Sequence, residues 1–179
     1  MQRNLKVVVA LVVLLVASTG GQVWGANPAQ ISVTVTIQNL SVSATGPIAF
    51  GTVVASTETV SGSGSTVTND GNVSETFSLN LTNPATWTAV QAAPSSAEEY
   101  ALSAEFNSSA PTAVSFTYAD HALSTSSVAS SGTKFAGNQT GATVAAAATR
   151  TLWFRFNAPT STSVTSQQTI TVTVTAAAG

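Results

Sequence analysis

The 179-residue chain has no cysteine, one methionine and one histidine, and only 7% of its residues are charged. Each scarcity excludes a class of protein. Without cysteine there is no disulfide scaffold, no redox dithiol and no thiolate zinc site. Five Lys and Arg in the whole chain cannot form the cationic cluster that phosphate neutralisation demands, so nucleic acid is excluded as a partner. Scarce charge beside 44% hydrophobic residues is also the opposite of a disordered solvating tail. What fills the sequence instead is Val, Ala, Ser, Thr and Gly, arranged in short alternating stretches.

One stretch does not alternate. Arg3 and Lys6 precede the apolar run Val7 to Ala17, and the small and polar residues STGGQ follow it. This order is that of a secretory signal peptide. The run holds 11 residues, against the roughly 20 that cross a bilayer as a helix, so no retained membrane span is expected. Val23-Trp24-Gly25 sets small or branched residues at the −3 and −1 sites, which places cleavage after Gly25, and no cysteine follows to carry a lipid. Residues 1–25 are thus expected to be a signal-peptide helix and residues 26–179 a single domain. Without Arg3 and Lys6, three basic residues face seven acidic ones, a net charge of −4. An exported domain without disulfides must be held by packing, by sheet hydrogen bonds or by assembly with its own copies.

Period-two alternation dominates the mature chain. Ile31, Val33, Val35 and Ile37 alternate with Ser32, Thr34, Thr36 and Gln38, which predicts a first strand with one face in a core. The phase slips near Asn39, because the next apolar residues are Leu40 and Val42; a bulge or a switch between sheets is expected there. Gly46-Pro47 predicts a turn and Ile48 to Val54 the next strand, and the tract SGSGS at 61–65 reads as flexible. Asn69-Asp70-Gly71-Asn72 predicts a hairpin, since these residues tolerate the positive φ of tight turns. Further strands are expected around Phe77, Leu79 and Leu81; Tyr100, Leu102, Ala104 and Phe106; Val114, Phe116 and Tyr118; Leu152, Phe154 and Phe156; and Ile170, Val172 and Val174. Ala145 to Ala148 allows a helical turn at most, and residues 89–98 and 122–148 read as connections. About nine short strands without a helical stripe predict an all-β protein, an antiparallel immunoglobulin-like β-sandwich.

The stretch TVTNDGNVSETFSLNLTNPATW, residues 66–87, resembles the N-x-G-N turn, alternating strand and Pro-x-x-Trp end of immunoglobulin-like modules in exported bacterial and archaeal proteins of the CARDB type. The layout of signal peptide, alternating first strand and Ser/Thr-rich sandwich is similar to secreted fibre subunits of the TasA/camelysin kind and to archaeal bundling pilins. The resemblance implies a surface or fibre protein.

Candidates for chemistry are few. His121 is the only histidine, so a Ser-His-Asp site would have to use it; Asp120 is merely its neighbour in sequence, and the expected reading is an exposed loop histidine. Glu98 and Glu99 are adjacent and diverge, and Glu105 is placed on the solvated face of a strand, although folding could bring it near Glu75 or Asp120. Asp70, Asn72 and Glu75 offer oxygens only loosely spaced for calcium, and turn chemistry alone accounts for Asp70-Gly71. No metal, cofactor or catalytic residue is expected. Trp87 is expected to close one end of the sandwich. If Leu152, Phe154 and Phe156 face the core, Trp153 and Arg155 project outward, as a sugar-stacking platform or an interface anchor, unless a loop covers the ring. The sequons at Asn39, Asn72, Asn80, Asn107 and Asn138 are acceptors in chemistry only.

These features lead to a non-enzymatic structural or surface protein, secreted to the extracellular space or cell surface, or held in the periplasm. Ile31, Val33, Val35 and Ile37 form a strand without Lys or Pro to guard its edge. It either folds back as an ordinary edge strand or joins the sheet of a second copy, making a homo-oligomer or polymer. The alternative is a glycan-binding or adhesion module using Trp153, with an exported hydrolase third. TVTVTAAAG at the end carries no sorting motif, so attachment to a surface is expected to be non-covalent. The leader yields a direct test: N-terminal sequencing of the exported protein should begin at Ala26, and a mature chain retaining Val7 to Ala17 would refute the assignment.

Overall fold

The alternating stretches build two sheets packed face to face in an all-β sandwich. The computed structural model describes residues 28–179, so the leader and its cleavage site lie outside the described residues. Nine strands are present among these residues: β1 (Val42–Ala44), β2 (Glu58–Val60), β3 (Ser65–Asn69), β4 (Glu75–Thr82), β5 (Thr88–Ala89), β6 (Glu99–Phe106), β7 (Val128–Ala129), β8 (Thr149–Asn157) and β9 (Thr171–Ala178). The larger sheet has the order β1-β3-β8-β6-β5, with β2 also on β8; the smaller is β7-β4-β9. All pairs are antiparallel except β5 with β6.

The core comes from the inward positions of these strands. Val67, Phe77, Leu79, Leu81, Tyr100, Leu102, Ala104, Phe106, Leu152, Phe154 and Phe156 form one buried cluster, as the period of two predicts. Trp87 stacks on Phe156 at 6.0 Å and tilts against Tyr100 at 6.1 Å, so it does close the cluster at one margin. On β9, Val172, Val174 and Ala176 pack against the core while only partly buried.

Four expectations require correction. The Asn69–Asn72 turn is not a hairpin, because β3 and β4 belong to different sheets. Asn69 is fully buried; its Oδ1 accepts the Gly71 N–H at 2.8 Å and its Nδ2 donates to the carbonyls of Val73 and Val144, each at 2.8 Å. The local turn chemistry is as expected, but the return strand finds partners far along the chain. Ile48 to Val54 forms no strand; Ile48, Phe50 and Val53 pack against the core margin, with Phe50 5.5 Å from Phe156. The Val114 to Tyr118 stretch is a 3₁₀ turn (Ala113–Ser115) followed by the one-turn helix α1 (Tyr118–His121). Thr117 initiates that helix by accepting the Asp120 N–H on its side chain, a capping choice that overrides alternation. Lastly, the SGSGS tract is pinned rather than flexible. β2 and β3 lie end to end along β8, with Glu58 opposite Asn157 and Ser65 opposite Leu152, and Ser61 between them bonds the Phe154 backbone in both directions.

Tyr100 is wholly buried, and its hydroxyl donates to Asn83 Oδ1 at 2.9 Å. Burial pushes its pKa well above the ordinary tyrosine value. The unfolded chain therefore loses this proton near pH ~10 while the folded chain keeps it, so unfolding is favoured as pH rises beyond that point. Urea unfolding from pH 9 to 11 should show falling stability, and Tyr100→Phe should flatten the fall; an unchanged slope would refute the assignment.

Candidate functional site

A β-branched strand normally hides one face and pairs its backbone. Ile31, Val33, Val35 and Ile37 do neither. Their exposures are 87%, 86%, 83% and 75%, and the segment lies in no strand among the described residues; only the Ile37 carbonyl, at its end, takes a hydrogen bond, from a side chain. This corrects the expectation of a first strand within the sandwich. The alternation is present, but among the described residues no ladder partner meets it, and the first described strand starts at Val42.

Where the phase slips, the backbone is held. The Asn72 side chain donates from Nδ2 to the Ile37 carbonyl at 2.9 Å and accepts the Asn39 N–H on Oδ1 at 2.8 Å. Its backbone N–H donates to the Asn39 carbonyl at 3.1 Å, and the Asp70 N–H donates to the Ser41 carbonyl at 2.7 Å. One Asn thus offers residues 37–39 the donor and acceptor pattern of a neighbouring strand. Glu75 completes the hold by accepting the Ser41 N–H on Oε1 at 2.8 Å from a fully buried position, while its Oε2 has no partner among the described residues. Gly71 must be glycine here, because a Cβ would collide with the Asn39 carbonyl and Glu75 Oε1. The Asn72 side chain and Glu75 Oε1 are thus bonded to protein backbone, and no group of three or more His, Cys, Asp or Glu converges among the described residues.

Of the residues singled out for catalysis or binding, Glu75, Glu105, His121 and Arg155 are buried. Arg155 does point to the sheet face opposite Leu152, Phe154 and Phe156, but the 113–121 segment folds over it. The guanidinium donates from Nη1 to the carbonyls of Ala113 at 3.0 Å and Phe116 at 2.8 Å, and it lies 4.8 Å from the Tyr118 ring centre. Arg155 is buried, so the outward platform is corrected to a packed pillar. Trp153 is half-buried; its indole N–H donates to the Asn107 carbonyl at 2.9 Å, and a Cβ on Gly64 would press on its ring. The two residues expected to act together are thus separated by burial.

His121 and Glu105 are buried as well, which corrects the exposed histidine and the solvated carboxylate. Glu105 Oε2 stands 4.0 Å from His121 Nδ1. Nδ1 accepts the Thr117 N–H at 2.9 Å and Nε2 faces the Ala136 carbonyl at 3.2 Å, so one ring nitrogen serves the backbone of the covering segment and the other faces the backbone at Ala136. Asp120 lies 3.6 Å from Lys134. Glu98 accepts the backbone N–H of Ser163 and the hydroxyls of Thr162 and Ser163, which holds its carboxyl below the usual range. Glu99 braces Ser95 and Ser96. The signal for these roles was absent from alternation, because strand periodicity does not say whether a second layer covers the outer face.

Arg155→Ala leaves the buried Phe116 carbonyl and the partly buried Ala113 carbonyl without their donor and should cost about 2–4 kcal/mol in urea unfolding. Trp153→Ala should cost less; an Arg155 variant as stable as the parent would contradict the pillar assignment. Comparison with protein-family models, with curated proteins and with solved structures returns no match.

Proposed function

We propose that this chain is a non-enzymatic, exported structural subunit whose copies join through the Ile31–Ile37 segment. The observation that carries the reading is the exposure of four alternating β-branched residues on a segment that has no ladder partner among the described residues. Each such side chain gains about 1.5–3 kcal/mol when it is fully buried, and an extended backbone gains further by adding to a sheet edge. Ser32, Thr34 and Thr36 suit the solvated face of an added strand and argue against insertion into lipid. The hold on Ile37 to Ser41 by Asn72 and Glu75 gives a donated strand a fixed end in its own subunit. Glycan binding through Trp153 gains no support from Arg155, which is buried.

Deletion of residues 26–37 should abolish assemblies visible by electron microscopy and sedimentation, and should leave a soluble acceptor that binds an added ISVTVTIQ peptide. Normal assembly of the truncated protein would overturn the proposal. So would a full chain that stays monomeric at high concentration with this segment protected from hydrogen exchange.

A further inference from the structure

Resting on that reading, we infer that the acceptor is the outer edge of β9 in a second copy. β9 pairs with β4 at eight positions, from Thr82 opposite Thr171 to Glu75 opposite Ala178. The N–H groups of Glu75, Phe77 and Leu81 donate to Val144, Gly141 and Ser124, on the far side of β4 from β9. In an antiparallel pair both polar groups of a residue point the same way and directions alternate along the strand. The bonds from β4 to β9 therefore come from Thr76, Ser78, Asn80 and Thr82, and their partners are Ala177, Thr175, Thr173 and Thr171. It follows that the N–H and C=O groups of Val172, Val174 and Ala176 face outward. No described residue bonds them.

This edge fits the donor in length, chemistry and phase. The remaining outer strands, β1, β2, β5 and β7, are two or three residues long, whereas β9 has eight residues, enough for the seven from Ile31 to Ile37. β9 carries no charge and no proline to discourage pairing. The residues whose backbone faces the open edge are those whose side chains lie half-buried on the core margin. Directly opposed residues share a sheet face, so a strand bonded to Val172, Val174 and Ala176 through its odd-numbered residues would lay Ile31, Val33 and Val35 over that margin. An antiparallel join with Val33 opposite Val174 sets Ile31 against the small Ala176 and Val35 against Val172, with Ile37, whose carbonyl Asn72 holds in its own subunit, just past the start of β9.

The absence of cysteine gives a clean background for the test. In this register Thr34 faces Thr173 as a non-hydrogen-bonded pair, with Cα atoms about 4.5 Å apart, inside the range that a disulfide spans. Both side chains lie on exposed residues, so neither substitution disturbs the core. Full chains bearing Thr34→Cys and Thr173→Cys, mixed under mild oxidation, should form at least tenfold more disulfide heterodimer than Thr34→Cys mixed with Thr66→Cys. Filaments that require residues 26–37 but give no such excess would overturn the β9 acceptor and leave the subunit reading standing. Absence of any assembly would overturn both. In the double variant at high dilution, an internal disulfide in a monomer would show the segment on its own β9 and overturn the second copy as occupant.

Discussion

The sheet ladder is the constraint from which the rest of this molecule follows. No disulfide ties the chain and few charges are available to form ion pairs, so the sandwich depends on main-chain hydrogen bonds with apolar side chains packed between the sheets. β8 is the centre of this arrangement, since β2 and β3 share one of its edges and β6 occupies the other. A ladder satisfies its members only where each strand has a neighbour. The chain's outermost strands, and the segment from Ile31 to Ile37, are where that condition lapses.

The scarce polar side chains extend the ladder where strands cannot reach. Asn69 and Asn72 bond backbone groups around the turn between the sheets, and Glu75 receives an N–H from the chain leading into β1. Arg155 and His121 do the same for the segment that covers the outer face of the larger sheet. Residue types that in another setting would suggest acid, base or metal chemistry here substitute for missing strand neighbours. A buried carboxylate or guanidinium with backbone partners satisfies groups that would otherwise lose their hydrogen bonds on leaving water.

Much of the fold was legible because a half-buried strand writes its geometry into alternate residues. Phe77, Leu79 and Leu81, or Leu152, Phe154 and Phe156, could face only one way. Pairing was less legible. The turn at Asn69–Asn72 has the composition of a hairpin, yet turn chemistry fixes only the reversal of direction and is silent on which sheet receives the next strand. The interior positions of Arg155 and Glu105 were hidden for a related reason: residues 113–121, whose apolar alternation at Val114 and Phe116 imitates a strand, fold over Arg155 and bring His121 to Glu105. The segment at Ile31 was legible as a strand by pattern, but whether it has a partner is a property of the tertiary structure and of any second chain.

The register of β9 on β4 also has a mechanical meaning. β9 is tied to its sheet by β4 alone among named strands, through eight paired positions, and antiparallel bonds lie perpendicular to the strand direction. A pull along the strand axis loads these bonds together in shear, whereas a pull across it peels them one after another. The β4–β9 pair therefore resists tension along its strands better than tension across them.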